Sequence, residues 1–136
     1  MNGRAAALAK AAQSYVGMPF CLHGRHPAGG FDCLGLILTA LADVGIIAPP
    51  PPAYAMRNST ISPLFAFAEE LGLVPGAAPF RAGDILLGRT GPAQFHCAIA
   101  LGETDFIHAH AGLRRVVRTP GPFPWPLRRL WRLPPD

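Results

Sequence analysis

Gly30-Phe31-Asp32-Cys33-Leu34-Gly35-Leu36-Ile37-Leu38 is the stretch on which the reading of this chain turns. Leu34, Ile37, Leu38 and Leu41 recur at one, three or four residues, the spacing of a buried helix face, which predicts a helix over residues 33–44. Asp32 stands where an N-cap belongs, and Gly45 where such a helix stops. Cys33 therefore falls on the first turn. Unpaired backbone N–H groups and the positive end of the helix dipole there favour a thiolate over a thiol. The same N–H groups can stabilise the oxyanion that forms when a carbonyl is attacked. Gly29 and Gly30 would let a substrate backbone come close, and Gly35 would let another segment pack on the first turn. A cysteine in this position is also a common inert core residue. To be a nucleophile it needs a base and a group that orients the base.

Of the five histidines, His96 and His108 answer that need. Residues 95–101 and 105–109 read as two short strands joined by a tight turn at 102–104. Paired antiparallel, positions whose numbers sum to about 204–208 lie roughly opposite each other, which includes 96 with 108. Both rings can then face one way, with His108 fixing the ring of His96 as an aspartate or asparagine does in other triads. His96, Cys97, His108 and His110 are also zinc-ligand types. Neighbouring strand residues point to opposite faces, so His96 and Cys97 do not readily share one ion. No metal is expected. Cys21 and Cys97 read as small apolar fillers.

Around this centre the chain divides into two textures. Residues 3–16 form an alanine-rich helix that Asn2 can cap, and 18–31 has the Pro and Gly content of a loop. The run Pro49 to Pro52 opens a surface excursion, and Ser62-Pro63 starts a short helix through Leu71 that ends at Gly72. After Pro79 come β-type runs at 84–88, 95–101, 105–109, 113–118 and 127–133, with Leu113, Val116 and Val117, then Leu127, Leu130 and Leu133 available for an apolar face. Helices first and an antiparallel sheet after them make an α+β fold.

A chain of 136 residues, half of them hydrophobic and only 15% charged, has room for one globular domain over residues 1–136. No apolar run approaches the roughly 18 residues of a membrane span. The N-terminus lacks the apolar centre of a signal peptide, which predicts synthesis in the cytoplasm. Three cysteines without metal-type spacing argue against a disulfide framework. Arg114, Arg115, Arg118, Arg128, Arg129 and Arg132 crowd the C-terminal part. They are either a patch for an anionic partner or solvent-facing strand positions. No recognition motif accompanies them, so nucleic acid is not expected as a partner.

Taken in order, Gly17-Met18-Pro19-Phe20, then 30–36, Arg81-Ala82-Gly83-Asp84-Ile85-Leu86, His96-Cys97-Ala98-Ile99-Ala100-Leu101-Gly102 and Phe106-Ile107-His108-Ala109 resemble the NlpC-type cell-wall cysteine peptidases. The resemblance covers residues 10–118. It implies a papain-like fold and hydrolysis of peptidoglycan stem peptides, commonly between D-γ-glutamate and the diamino acid. Cys33 would attack, His96 would take and return the proton, and His108 would hold the imidazole, with no cofactor. His23-Gly24-Arg25 ahead of Asp32-Cys33 resembles the branch found in phage tails and gene transfer agents. Tail-tip proteins would then be partners, and the particle would carry the enzyme to the wall. In that setting His23 and Arg25 would line the cleft and meet substrate carboxylates, beside Phe20 and Asp32. Two positions depart from the family pattern. Leu34 stands where serine is common, and Phe20 where tyrosine is common, so the oxyanion contact of that hydroxyl is lost. A structural tail-tip protein with little activity and an acyltransferase using the same dyad are the competing expectations.

Overall fold

The computed structural model describes residues 3–21, 24–26, 29–49, 62–92 and 94–134. The Asn2 cap, most of the proline run and His23 lie outside them. Helix α1 (Gly3–Ser14) is followed by two two-residue strands, β1 (Arg25–His26) and β2 (Gly30–Phe31), which pair with each other. Then come α2 (Cys33–Asp43), α3 (Ser62–Glu70) and six further strands. These are β3 (Val74–Pro75), β4 (Ile85–Gly91), β5 (Gln94–Ala100), β6 (Phe106–His110), β7 (Arg115–Thr119) and β8 (Leu127–Arg132). They form one antiparallel sheet in the order β3-β8-β4-β5-β6-β7. The α+β layout read from the sequence is the one observed, and the three long helices and five main strands fall within a few residues of their expected limits. No helix among the described residues is long and apolar enough to cross a membrane.

α2 is the axis of the fold because its sequence is apolar on nearly every side. Leu36, Ala40 and Leu41 are wholly buried, and they sit in one cluster with Leu8 and Ala12 of α1 and Ile85, Leu87, Cys97, Ile99, Ile107, Ala109 and Val116 of the sheet. A fully buried leucine contributes about 1.5–3 kcal/mol, so this face alone anchors the helix. The opposite face of the sheet carries a smaller cluster, Leu86, Ala100 and Leu130, covered by Phe80 and Phe123. β4 and β5 are therefore sandwiched, which explains their near-continuous apolar runs. Tyr15, just past α1, donates its hydroxyl to Asp43 at the far end of α2 and stacks edge-on against Phe31, with ring centroids 5.1 Å apart. Burial and the Asp43 carboxylate push the Tyr15 hydroxyl up to about 12.

Several expectations need correction. Leu113 and Leu127 are 52% and 40% exposed and do not join an apolar face, while Val116 and Leu133 face the helices and Leu130 faces the other way. The last strand does not follow β7 in space. It crosses back to lie between β3 and β4, with a register shift between Leu127 and Arg129. Strand character also begins before Pro79, at Val74–Pro75, an edge position that tolerates a proline. Of the C-terminal arginines, Arg132 is structural. Its guanidinium pairs with the buried Asp84 at 3.0 Å and donates to the carbonyls of Ala77 and Pro79. Arg118 pairs with Asp105 at 2.7 Å, and Arg129 lies 4.4 Å over the Phe65 ring.

Candidate active site

The start of α2 is built by its cap. Asp32, 1% exposed, accepts a hydrogen bond from the Gly35 N–H at 2.7 Å, and its own carbonyl accepts from Leu36 at 3.0 Å. The N–H groups of Cys33 and Leu34 belong to the first turn, where a helix offers no acceptor of its own. A Cβ on Gly35 would sit 1.8 Å from the Gly24 carbonyl oxygen, so only glycine lets the preceding loop cross the helix here. Gly30 serves the same packing rather than a substrate. Its φ is +99°, and the space of a side chain is taken by the Pro19 carbonyl oxygen at 2.7 Å. That loop is held from the other side too, because residues 17–20 pair with β7 through Gly17 N–H to Val116, Val116 N–H to Met18 and Phe20 N–H to Arg114.

β5 and β6 pair through Ile99↔Ile107 and Ala100↔Phe106 and no further towards His96. It is in this parted stretch that Cys33 meets β5. Its thiol interacts with the Cys97 thiol and with the His96 ring, and these two contacts hold it well below the usual thiol range against the opposing effect of burial. Cys97 moves the opposite way, raised by its bond to Cys33 and by burial, so it stays protonated and donates to the Cys33 thiolate. The filler reading of Cys97 is incomplete: the side chain is buried in the core, but its sulfur reaches the Cys33 thiol. Cys21, read the same way, is exposed.

His96 Nε2 lies 2.6 Å from His108 Nδ1, which leaves Nδ1 of His96 as the nitrogen for Cys33. His108 is 1% exposed and is held down to about 3 by burial, then by His96 and His110, which keeps it neutral near pH 7. Its other nitrogen, Nε2, is 2.8 Å from Thr119 Oγ1. Trp125 roofs the pair, its ring centroid 5.4 Å from that of His96 and 5.8 Å from that of His108. The Trp125 loop can settle there because Gly88 has no side chain: a Cβ would come within 2.4 Å of Phe123. Beside the two rings opens a cleft lined by Thr90, Gln94, Phe95, His110 and Trp125 among others.

The structure thus brings Cys33, His96 and His108 together and puts Asp32 behind them as the cap. Phe20 is half-buried, packs against the core and has no hydroxyl to offer. Arg25 contributes its backbone to β1, and its side chain lies outside the described part of the structure. The expected register was close. The pairing sum is 206, so His96 and His108 share a face as a diagonal pair rather than a direct one. Sequence reasoning passed over Cys97 as a partner and did not single out Thr119 or Trp125. Thr119 was in principle reachable, since it shares a face with Val117, the register partner of His108.

This geometry can be set beside known proteins. The model of the NlpC/P60 family matches residues 17–123. The chain belongs to the NlpC/P60 family. Protein P54 of Enterococcus faecium is 28% identical over 109 residues, which are 80% of this chain and 18% of that protein. The crystal structure of the NlpC/p60 domain of the peptidoglycan hydrolase SagA superposes with a TM-score of 0.60 at 28% identity, covering 85% of this chain and 88% of that one. NlpC2 from Trichomonas vaginalis gives a TM-score of 0.68 at 22% identity, over 95% of this chain and 46% of that one. This chain spans less than a fifth of P54 and under half of NlpC2. As an NlpC/P60 domain it has the papain-like fold that the sequence resemblance implied.

Proposed function

We propose that this protein is a cysteine endopeptidase that hydrolyses peptidoglycan stem peptides, at the bond between D-γ-glutamate and the diamino acid. The observation that carries the reading is the thiol of Cys33, at the head of a capped helix and lowered by contact with Cys97 and with His96, whose far nitrogen is held 2.6 Å from His108. Family membership and the likeness to the SagA domain support the substrate class.

The residues divide the work as follows. The Cys33 thiolate adds to the scissile carbonyl carbon, and the carbonyl electrons move onto oxygen, where the first-turn N–H groups of α2 stabilise them. When the C–N bond breaks, His96 gives its Nδ1 proton to the departing amine, leaving a Cys33 thioester. Water then attacks this thioester, His96 takes the water's proton, and the acid leaves as the thiolate is restored. Purified protein should release new amino termini from muropeptides under reducing conditions, and Cys33→Ala should release none. Intact muropeptides with the wild type would overturn the proposal.

The cellular setting belongs to the same proposal: a phage-tail or gene-transfer-agent component that opens the wall locally. Its support is the His23-Gly24-Arg25 run ahead of Asp32-Cys33. Particles carrying Cys33→Ala should assemble and attach yet fail to deliver. Normal delivery by such particles would remove this setting.

A further inference from the structure

We infer that Thr119 is a positioning residue whose hydroxyl, by accepting a hydrogen bond, fixes His108 as the tautomer that lets His96 carry its proton. The inference rests on the catalytic reading of Cys33 and His96 given above and extends it by one residue.

The argument is a count of protons. To serve as base and then acid, His96 must pass through the imidazolium form, with hydrogen on both nitrogens. Its Nε2–H then has to donate to the atom 2.6 Å away, His108 Nδ1, so that atom must present a lone pair. A neutral imidazole with a bare Nδ1 carries its hydrogen on Nε2. That Nε2–H faces Thr119 Oγ1 at 2.8 Å, and a hydroxyl oxygen can accept it.

Nothing else described around His108 can take this hydrogen. The ring is 1% exposed, and its neighbours are the rings of Phe106, Trp125, His96 and His110, with centroids 4.8 to 5.8 Å away. His110 cannot substitute through Nδ1, which accepts the Leu113 N–H at 3.0 Å. The fold places Thr119 deliberately in register terms. β6 and β7 pair His108↔Val117 and Phe106↔Thr119, so Thr119 is on the same face and one diagonal step from His108. Without the hydroxyl, the buried Nε2–H has no acceptor and the proton does better on Nδ1. Nδ1–H would then donate to His96 Nε2, leaving His96 with its hydrogen on Nδ1. A neutral His96 of that form cannot accept a proton at the nitrogen that faces Cys33. The relay would be in place and wrongly protonated, the fault that removing a triad carboxylate produces.

The test compares wild type, Thr119→Val and Thr119→Ser, using ¹⁵N-labelled protein for the histidine tautomers and iodoacetamide for Cys33 reactivity across pH. Neither readout depends on peptidoglycan as substrate, so a wrong substrate class and a wrong role for Thr119 fail separately. In wild type and Thr119→Ser, His108 should carry its hydrogen on Nε2. In Thr119→Val the hydrogen should move to Nδ1, and Cys33 alkylation at neutral pH should slow by about tenfold, with secondary structure intact. Wild type with His108 protonated on Nδ1 would overturn the inference, whether or not Thr119→Val folds. So would Thr119→Val that keeps the wild-type tautomer and reactivity, or Thr119→Ser as impaired as the valine variant.

Discussion

His96 and His108 lie on the same face of the sheet, one diagonal step apart, with Nε2 of the first 2.6 Å from Nδ1 of the second. A direct cross-strand pair would have set the rings side by side. The diagonal, at a place where β5 and β6 have parted, lets one ring bridge from its neighbour to the thiol at the head of α2. The consequences for chemistry and stability can each be checked.

His108 Nδ1 lies 2.6 Å from His96 Nε2 and holds that ring in place. His108→Ala should lower kcat by about 10² to 10⁴ with little change in KM, because orientation and tautomer are lost while the cleft stays open. His108→Asn, which can present an amide oxygen at a similar place, should recover part of that loss. Steady-state kinetics on a defined muropeptide reads both.

Cys97 donates to the Cys33 thiolate, and that contact is the largest of the effects lowering the thiol. Cys97→Val keeps the volume and removes the S–H. Its acid limb of Cys33 alkylation should move to higher pH, and reactivity at neutral pH should fall. An unchanged profile would return Cys97 to the role of filler.

Because His108 stays neutral to about pH 3 when folded but takes a proton near 6.5 when unfolded, the unfolded chain holds the extra proton between those values. Stability must therefore fall as pH drops from about 6.5 to about 3, by at most about 5 kcal/mol at roughly 1.4 kcal/mol per unit. His108→Asn should flatten this slope in denaturant melts taken from pH 7 to pH 4.

Asp84 is 2% exposed and is answered by Arg132. Arg132→Met strips the charge from a buried pair while keeping the stem, and should cost about 3–5 kcal/mol. Thermal unfolding gives the number. Arg118→Met, at the exposed Asp105 pair, should cost under about 1 kcal/mol.

Much of this was legible in the chain, and the parts that were not share a cause. α2 could be read with its cap because helix periodicity and capping are local, and the 95–109 hairpin because its turn is short. The strands Arg25–His26, Gly30–Phe31 and Val74–Pro75 are two residues each and too short to show a period. The return of β8 to the side of β4 is a long-range choice that no local pattern encodes. The alternation argument set Cys97 and His96 on opposite faces of β5, and it did not show that the Cys33 thiol at the head of α2 reaches both of them. Thr119 and Trp125 matter only through register and loop closure, so their letters alone carried no signal.

The pH dependence of Cys33 alkylation, measured in wild type and in His96→Ala, tests the thiolate–imidazole pairing most directly. A wild-type profile with its acid limb well below the ordinary thiol range, displaced upward in His96→Ala, is the predicted result. Superimposable profiles, or a wild-type thiol that reacts only at the pH of a simple cysteine, would contradict the pairing.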